Sequence, residues 1–321
     1  MTALQSLRQT NQSLATTQAR ISTGFRVAEA KDNAAYWSIA TTMRSDNKAL
    51  STVQDALGLG ASRIDTAYTA MNKAIELVDE IKQKVLAAVG ASESDKEKIQ
   101  TEIVAFQAQL TFVADAATFS GTNWLSVDSD PANGHSAAGV HTEAQIVSAF
   151  NRSSNGDVTL GTINIDVQSI KLYDAAATTN ETMGILEGLR LGATGARDDT
   201  AVAGVAGTSA ATDGYAVSSL NVVGFTDGQL QEMLTVVDRT LAELTDSATT
   251  IGAAKKRVDI QADFTRSLMD SIDRGVGQLV DADMSLESTR LQALQVQQQL
   301  GIQALSIANS NAQNILSLFQ G

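Results

Sequence analysis

Residues 4–25 read LQSLRQTNQSLATTQARISTGF. Leu4, Leu7, Asn11, Leu14, Gln18, Ile21 and Phe25 recur there at alternating spacings of three and four. That is the spacing of a helix with an apolar seam, two of whose positions are amides that can fix register at a cost in stability. Spacing alone leaves two options open: an amphipathic helix packed on its own domain, or a helix that seeks a partner. A candidate partner lies at the far end of the chain. Residues 291–319 are apolar and amide-rich with almost no charge, and carry Leu291, Leu294, Leu305, Ile315, Leu318 and Phe319. Exposed in water, such a face is an aggregation liability. Burial against the N-terminal seam resolves it.

Working outward, Ile39, Met43, Asp46, Leu50, Val53 and Leu57 form a second helical run. After Gly58 and Gly60 it resumes through Ile64, Met71, Val78, Ile81 and Val85. The two glycines either kink this helix or permit a close approach. Gly90 is a candidate C-cap, and Ser94 with Glu97 has the pattern of a capping box that opens the helix carrying Ile99, Ile103, Phe106 and Leu110. A second box, Thr226 with Gln229, opens a run from Leu230 through Leu244 to Leu279. The only proline is Pro131, so the arms on either side are free to be long helices. Forty to sixty helical residues span roughly 60–90 Å.

Between the arms, residues 117–225 are rich in Gly, Ser, Thr, Asn and Asp. Ile163, Ile165 and Val167 alternate with polar residues, the period of a half-buried strand and one arm of a hairpin. Residues 191–214 read as an exposed connection that tolerates change. The expected fold is mainly α: an elongated antiparallel bundle of long coiled-coil helices from both termini, with a small β-containing central insert.

Composition removes whole classes of chemistry. The 321 residues include no cysteine, which excludes disulfides, thiol nucleophiles and cysteine metal sites. Only 4% are aromatic, so Ala, Leu, Ile and Val must fill the core. A net charge of −13 argues against nucleic acid and anionic membranes. His135 and His141 have no third ligand nearby, and Gly58-Leu59-Gly60 lacks the preceding strand of a nucleotide loop. Asp281 and Asp283 stand where one helical run ends and the next begins, which fits a helix N-terminus better than acid–base catalysis. No cofactor, metal or catalysis is expected.

The stretch 20–40, RISTGFRVAEAKDNAAYWSIA, resembles the hallmark of bacterial flagellin. The matching positions include Arg20, Gly24, Arg26, Asp32 and Asn33. Residues 300–319 resemble the flagellin C-terminus, Asp281-Ala282-Asp283-Met284 the acidic turn before it, and Ala117-Thr118-Phe119-Ser120-Gly121 with Leu125 a turn of the same family. The resemblance implies a structural subunit of the flagellar filament, extracellular, exported unfolded and without catalysis. Residues 1–30 and 285–321 would be terminal helices of the inner filament core, with Leu4, Leu7, Leu14, Ile21, Phe25, Leu291, Leu294, Leu305, Ile315, Leu318 and Phe319 as assembly contacts. Residues 31–125 and 226–284 would form a long-helix outer tube, and 126–225 a surface domain with a β-hairpin. Implied partners are copies of itself, other flagellins, flagellar cap and hook-associated proteins, and a type III export chaperone.

Family chains normally begin further upstream, with a short Asn/Thr-rich lead, so the resemblance places Met1 within the first helix. The arginine-bearing segment that the vertebrate Toll-like receptor for flagellin is understood to grip maps to Asp79, Glu80, Ile81, Lys82, Gln83 and Lys84. Glu80 replaces an arginine position, a variation resembling the α-proteobacterial branch, and weak receptor activation is expected. A hook–filament junction protein, which shares similar terminal helices, is the alternative. A secreted enzyme or adhesin displayed on helical arms is a third reading, and the insert shows no convergent nucleophile–base–acid set.

Overall fold

The computed structural model describes residues 2–153 and 155–318, with side chains for 4–153 and 155–307. Its helices are α1 (Thr2–Thr23), α2 (Ala34–Ala88), α3 (Glu93–Ala116), α4 (Asp227–Val280) and α5 (Met284–Leu318). The strands are short: β1 (Thr118–Phe119), β2 (Thr122–Asn123), β3 (Ser126–Val127), β4 (Ala144–Arg152), β5 (Val158–Ile165), β6 (Tyr173–Asp174), β7 (Arg190–Leu191), β8 (Val202–Ala203) and β9 (Asp213–Tyr215). Two compact units emerge. One is drawn from residues up to Ser51 and from Arg266 onward, the other is Thr52–Thr265.

In the second unit, α2 and α4 run antiparallel, tied by ion pairs Lys82–Asp238 and Lys255–Asp65. Their facing side chains, Leu57, Ile64, Met71 and Ile81 on α2 and Leu230, Val237 and Leu244 on α4, share one core with Ile103 and Leu110 of α3. α2 continues through Gly58 and Gly60 without a break. Gly60 serves the close approach instead: an added Cβ would lie 2.6 Å from Ile146 Cγ2 on β4. The box at Thr226 forms as expected, with Gln229 N–H donating to Thr226 Oγ1 at 3.4 Å and Thr226 N–H to Gln229 Oε1 at 3.2 Å. The box at the start of α3 lies two residues earlier than expected, with Ser92 as cap and Asp95 N–H donating to its Oγ.

β1 and β2 form a minimal hairpin around Ser120 and Gly121, both at positive φ, which fits a turn twisted to match its strands. The expected strand at 163–167 is β5, paired antiparallel with β4 so that Ile146 faces Ile163. Val167 lies beyond it in a short 3₁₀ turn. Residues 191–214 are not a loose connection. They supply β8 and most of β9, in a three-strand sheet of order β7-β9-β8. Arg190 of β7, 3% exposed, and Arg197 both pair with Glu243 of α4, clamping this region to the helix. A second buried knot joins Lys171 Nζ to Asp174 Oδ2 at 2.5 Å, with Ser129 Oγ donating to the same carboxylate oxygen at 2.6 Å.

Candidate assembly surface

In the first unit α1 and α5 pair. Arg20 Nη1 donates to Glu287 Oε1 at 3.1 Å, and Gln298 Nε2 to Asn11 Oδ1 at 2.9 Å. Leu7 Cδ1 lies 3.2 Å from where a Cβ on Gly301 would stand. Numbers on α5 rise as those on α1 fall, so the helices are antiparallel, and the register carries Leu14 to the level of Leu294. Leu294 is buried; Leu7, Leu14, Ile21, Leu291 and Leu305 are half-buried, and Leu4 is exposed. The side chains of Ile315 and Leu318, and all of Phe319, lie outside the described residues.

The polar members of the seam differ from those expected. Asn11 and Gln18 are exposed, whereas Thr10 is half-buried and Thr17 is 2% exposed. Leu7, Leu14 and Ile21 belong to both three–four phases; the buried phase takes the preceding threonine, while Asn11 reaches Gln298 from the exposed edge of the seam. Glu287, 4% exposed, is a second residue that apolar spacing could not reveal. The signal for it was a lone acid four residues after the helix-capping Asp283, opposite Arg20 in a seam otherwise nearly free of charge.

The helix stops at Thr23, short of Phe25, because Gly24 takes φ +74°, a left-handed conformation that ends helices cheaply only at glycine. Phe25 then bridges to Asp281, and its ring receives the Arg44 guanidinium at 4.5 Å. It packs beside Val27, Ala40, Val276 and Val280, not along the α1 seam. Arg26 donates its backbone N–H to Val280 O at 2.6 Å and its guanidinium to Leu279 O at 3.1 Å. Asp32 accepts from the amides of Glu29 and Ala28, which hold its carboxyl below the usual range despite full exposure. Asn33 Oδ1 caps α2 through the amides of Ala35 and Tyr36, and Asp283 Oδ1 caps α5 through Ser285 and Leu286. The family-motif residues thus build the turn between α1 and α2 and tie it to the end of α4.

On α2, Glu80 is exposed and Asp79 half-buried. Lys82 pairs with Asp238 at 2.6 Å, a hydrogen bond that raises its pKa, and Lys84 pairs with Glu102. The rings of His135 and His141 lie 4.3 Å apart, tilted by 39°, and among the described residues no group of three His, Cys, Asp or Glu side chains could hold a metal.

Residues 1–129 match the bacterial flagellin N-terminal helical region, and residues 234–319 the bacterial flagellin C-terminal helical region. The chain belongs to the bacterial flagellin family. Flagellin C of Rhizobium meliloti (strain 1021) is 50% identical over 328 residues, spanning all of this chain and 97% of the relative. The flagellin of Brucella melitensis is 46% identical over 321 residues, spanning all of this chain and 96% of the relative. Both are α-proteobacterial, the branch expected from residues 79–84. Flagellins are structural subunits of the extracellular flagellar filament, not enzymes, and this one polymerises with copies of itself. Nothing in these comparisons supports the hook–filament junction alternative. Among the described residues no helix is long and apolar enough to cross a membrane.

Proposed function

We propose that α1 and α5 drive assembly of this flagellin. In this reading 1–30 and 285–321 line the inner filament core, 31–125 and 226–284 form the outer tube, and 126–225 faces outward. One observation carries it. α5 buries Leu294 yet leaves Leu300, Ile302 and Ile307 at 57%, 54% and 63% exposure. A two-helix pair cannot cover both faces, and neighbouring subunits would cover the second. The subunit would travel unfolded through the flagellar export channel, escorted by a type III chaperone, and add beneath a cap protein to a filament seated on hook-associated proteins. The exposed Glu80, with Lys82 and Lys84 already engaged in ion pairs, would make the 79–84 stretch a poor site for the vertebrate receptor.

Because each terminal helix buries little in the monomer, its ordering entropy is offset mainly on assembly. Circular dichroism across salt-induced polymerisation should show a gain in helix, and limited proteolysis of monomer should leave a core near residues 30–285. Equal helicity before and after would contradict the proposal.

A further inference from the structure

Within the Thr52–Thr265 unit, a polar pocket of about 490 Å³ opens between α4 and residues 168–197, and three guanidinium groups meet at it. Arg190 of β7 and Arg197 of the turn after it bridge to each other through their backbones. Arg239 comes from α4, one turn before Glu243. Gly195 lets the turn lie on the helix: at φ +67°, a Cβ added there would stand 2.8 Å from Arg239 Cβ. Among the described residues Glu243 is the only carboxylate paired with these arginines, and it serves both Arg190 and Arg197. Arg190 Nη1 also donates to Gly195 O at 3.3 Å, and Arg197 Nη1 to Met183 O at 2.9 Å. Arg190 Nε is buried and has no hydrogen-bond partner among the described residues, a cost that native proteins seldom carry without a reason. Arg239 is exposed, and its guanidinium has no partner among the described residues. Burial lowers the Arg190 pKa, Glu243 raises it, and the charges of Arg197 and Arg239 lower it again, so all three cations feel one another. Glu181 and Asp246, both exposed, share the pocket wall without pairing to any of the three.

We infer that this pocket binds an acidic sugar or a sugar phosphate, its oxyanion held by Arg239 and Arg197 with Arg190 at the floor. The planar guanidinium fork matches a carboxylate or phosphate with two parallel hydrogen bonds. Three cations share one paired acid, so an added anion relieves repulsion within the cluster. Glu181 and Asp246 set the limit on the ligand. They repel a dense polyanion, and their oxygens accept hydrogen bonds from a hydroxylated remainder. The inference goes beyond the filament reading and does not depend on it.

Calorimetric titration of the full-length monomer with glucuronate, with a hexose phosphate and with inorganic phosphate, at fixed ionic strength, tests it. Saturable binding of at least one of the two sugar acids is expected, and which of them binds decides between carboxylate and phosphate. Arg239→Gln, at an exposed position, should weaken that binding about tenfold or more and leave thermal unfolding unchanged. Arg257→Gln, which removes an exposed arginine of α4 outside the pocket, should leave the affinity as it is. The NMR resonance of Arg190 Nε–H should shift along the same isotherm as the heat. No saturable binding of either sugar acid overturns the proposal, and binding of inorganic phosphate without them marks an adventitious ion only. Undiminished affinity in Arg239→Gln, or an equal loss in Arg257→Gln, overturns the site.

Discussion

Arg20 of α1 and Glu287 of α5 meet at 3.1 Å across the seam that joins the two ends of the chain. Glu287 is buried and Arg20 less than a third exposed, so each partner is costly to lose. Removing Arg20 strands a carboxylate out of water. Arg20→Met should therefore destabilise the α1–α5 pair by about 3 kcal/mol, and Glu287→Gln, which keeps an acceptor without charge, by about 1 kcal/mol. Thermal melting of filaments followed by circular dichroism checks the order; equal melting of both variants and wild type would show the pair to be idle.

The phase of the seam gives a sharper contrast. Thr17→Asp puts an unpaired charge at a buried helix contact, as Leu7→Asp and Leu14→Asp do, at a cost of several kcal/mol, of order 3–5. Gln18→Asp places the same charge one residue on, where the side chain is exposed. The helix gained on salt-induced polymerisation should be lost in the first and persist in the second. The reverse outcome would restore the amide phase.

These two variants mark where the sequence was legible. The length and position of the helices followed from apolar spacing and from the confinement of proline to residue 131. Three–four spacing, however, is satisfied by both Thr17 and Gln18, since either lies between Leu14 and Ile21. Only burial against α5 selects Thr17. The partner of β5 went unread for a local reason: a bulge between Val147 and Ala149 breaks the alternation of β4. In 191–214 the strands run two or three residues, too short for any period to register. Their anchors are buried ion pairs, which hydropathy cannot reveal.

That region carries the third prediction. Replacing 191–214 with a Gly/Ser linker, which composition alone would allow, removes Arg197, β8 and part of β9. The variant should unfold at lower temperature than wild type. Glu243→Ala isolates the cause: it leaves the Arg190 guanidinium, whose pKa burial already depresses against the pull of Glu243, without its carboxylate. A loss of about 3 kcal/mol is expected in denaturant titration. An unchanged midpoint in both variants would return the segment to a loose connection.

The fourth concerns Glu80. If the receptor surface is acidic, a carboxylate where an arginine is expected loses an attraction and adds a repulsion, and substituting arginine reverses both. A receptor reporter assay on monomer should give a weak response from wild type and a stronger one from Glu80→Arg. Strong activation by wild type would rule this out, and an equally weak variant would leave Glu80 without a role.

Electron microscopy of salted-out wild type beside Leu294→Asp tests most directly whether the paired terminal helices build the filament. Leu294 is a buried apolar residue of α5 at the level of Leu14, and a charge there should cost several kcal/mol per subunit, of order 3–5. Long filaments from wild type and only soluble monomer from the variant are predicted. Normal filaments from Leu294→Asp would contradict the claim.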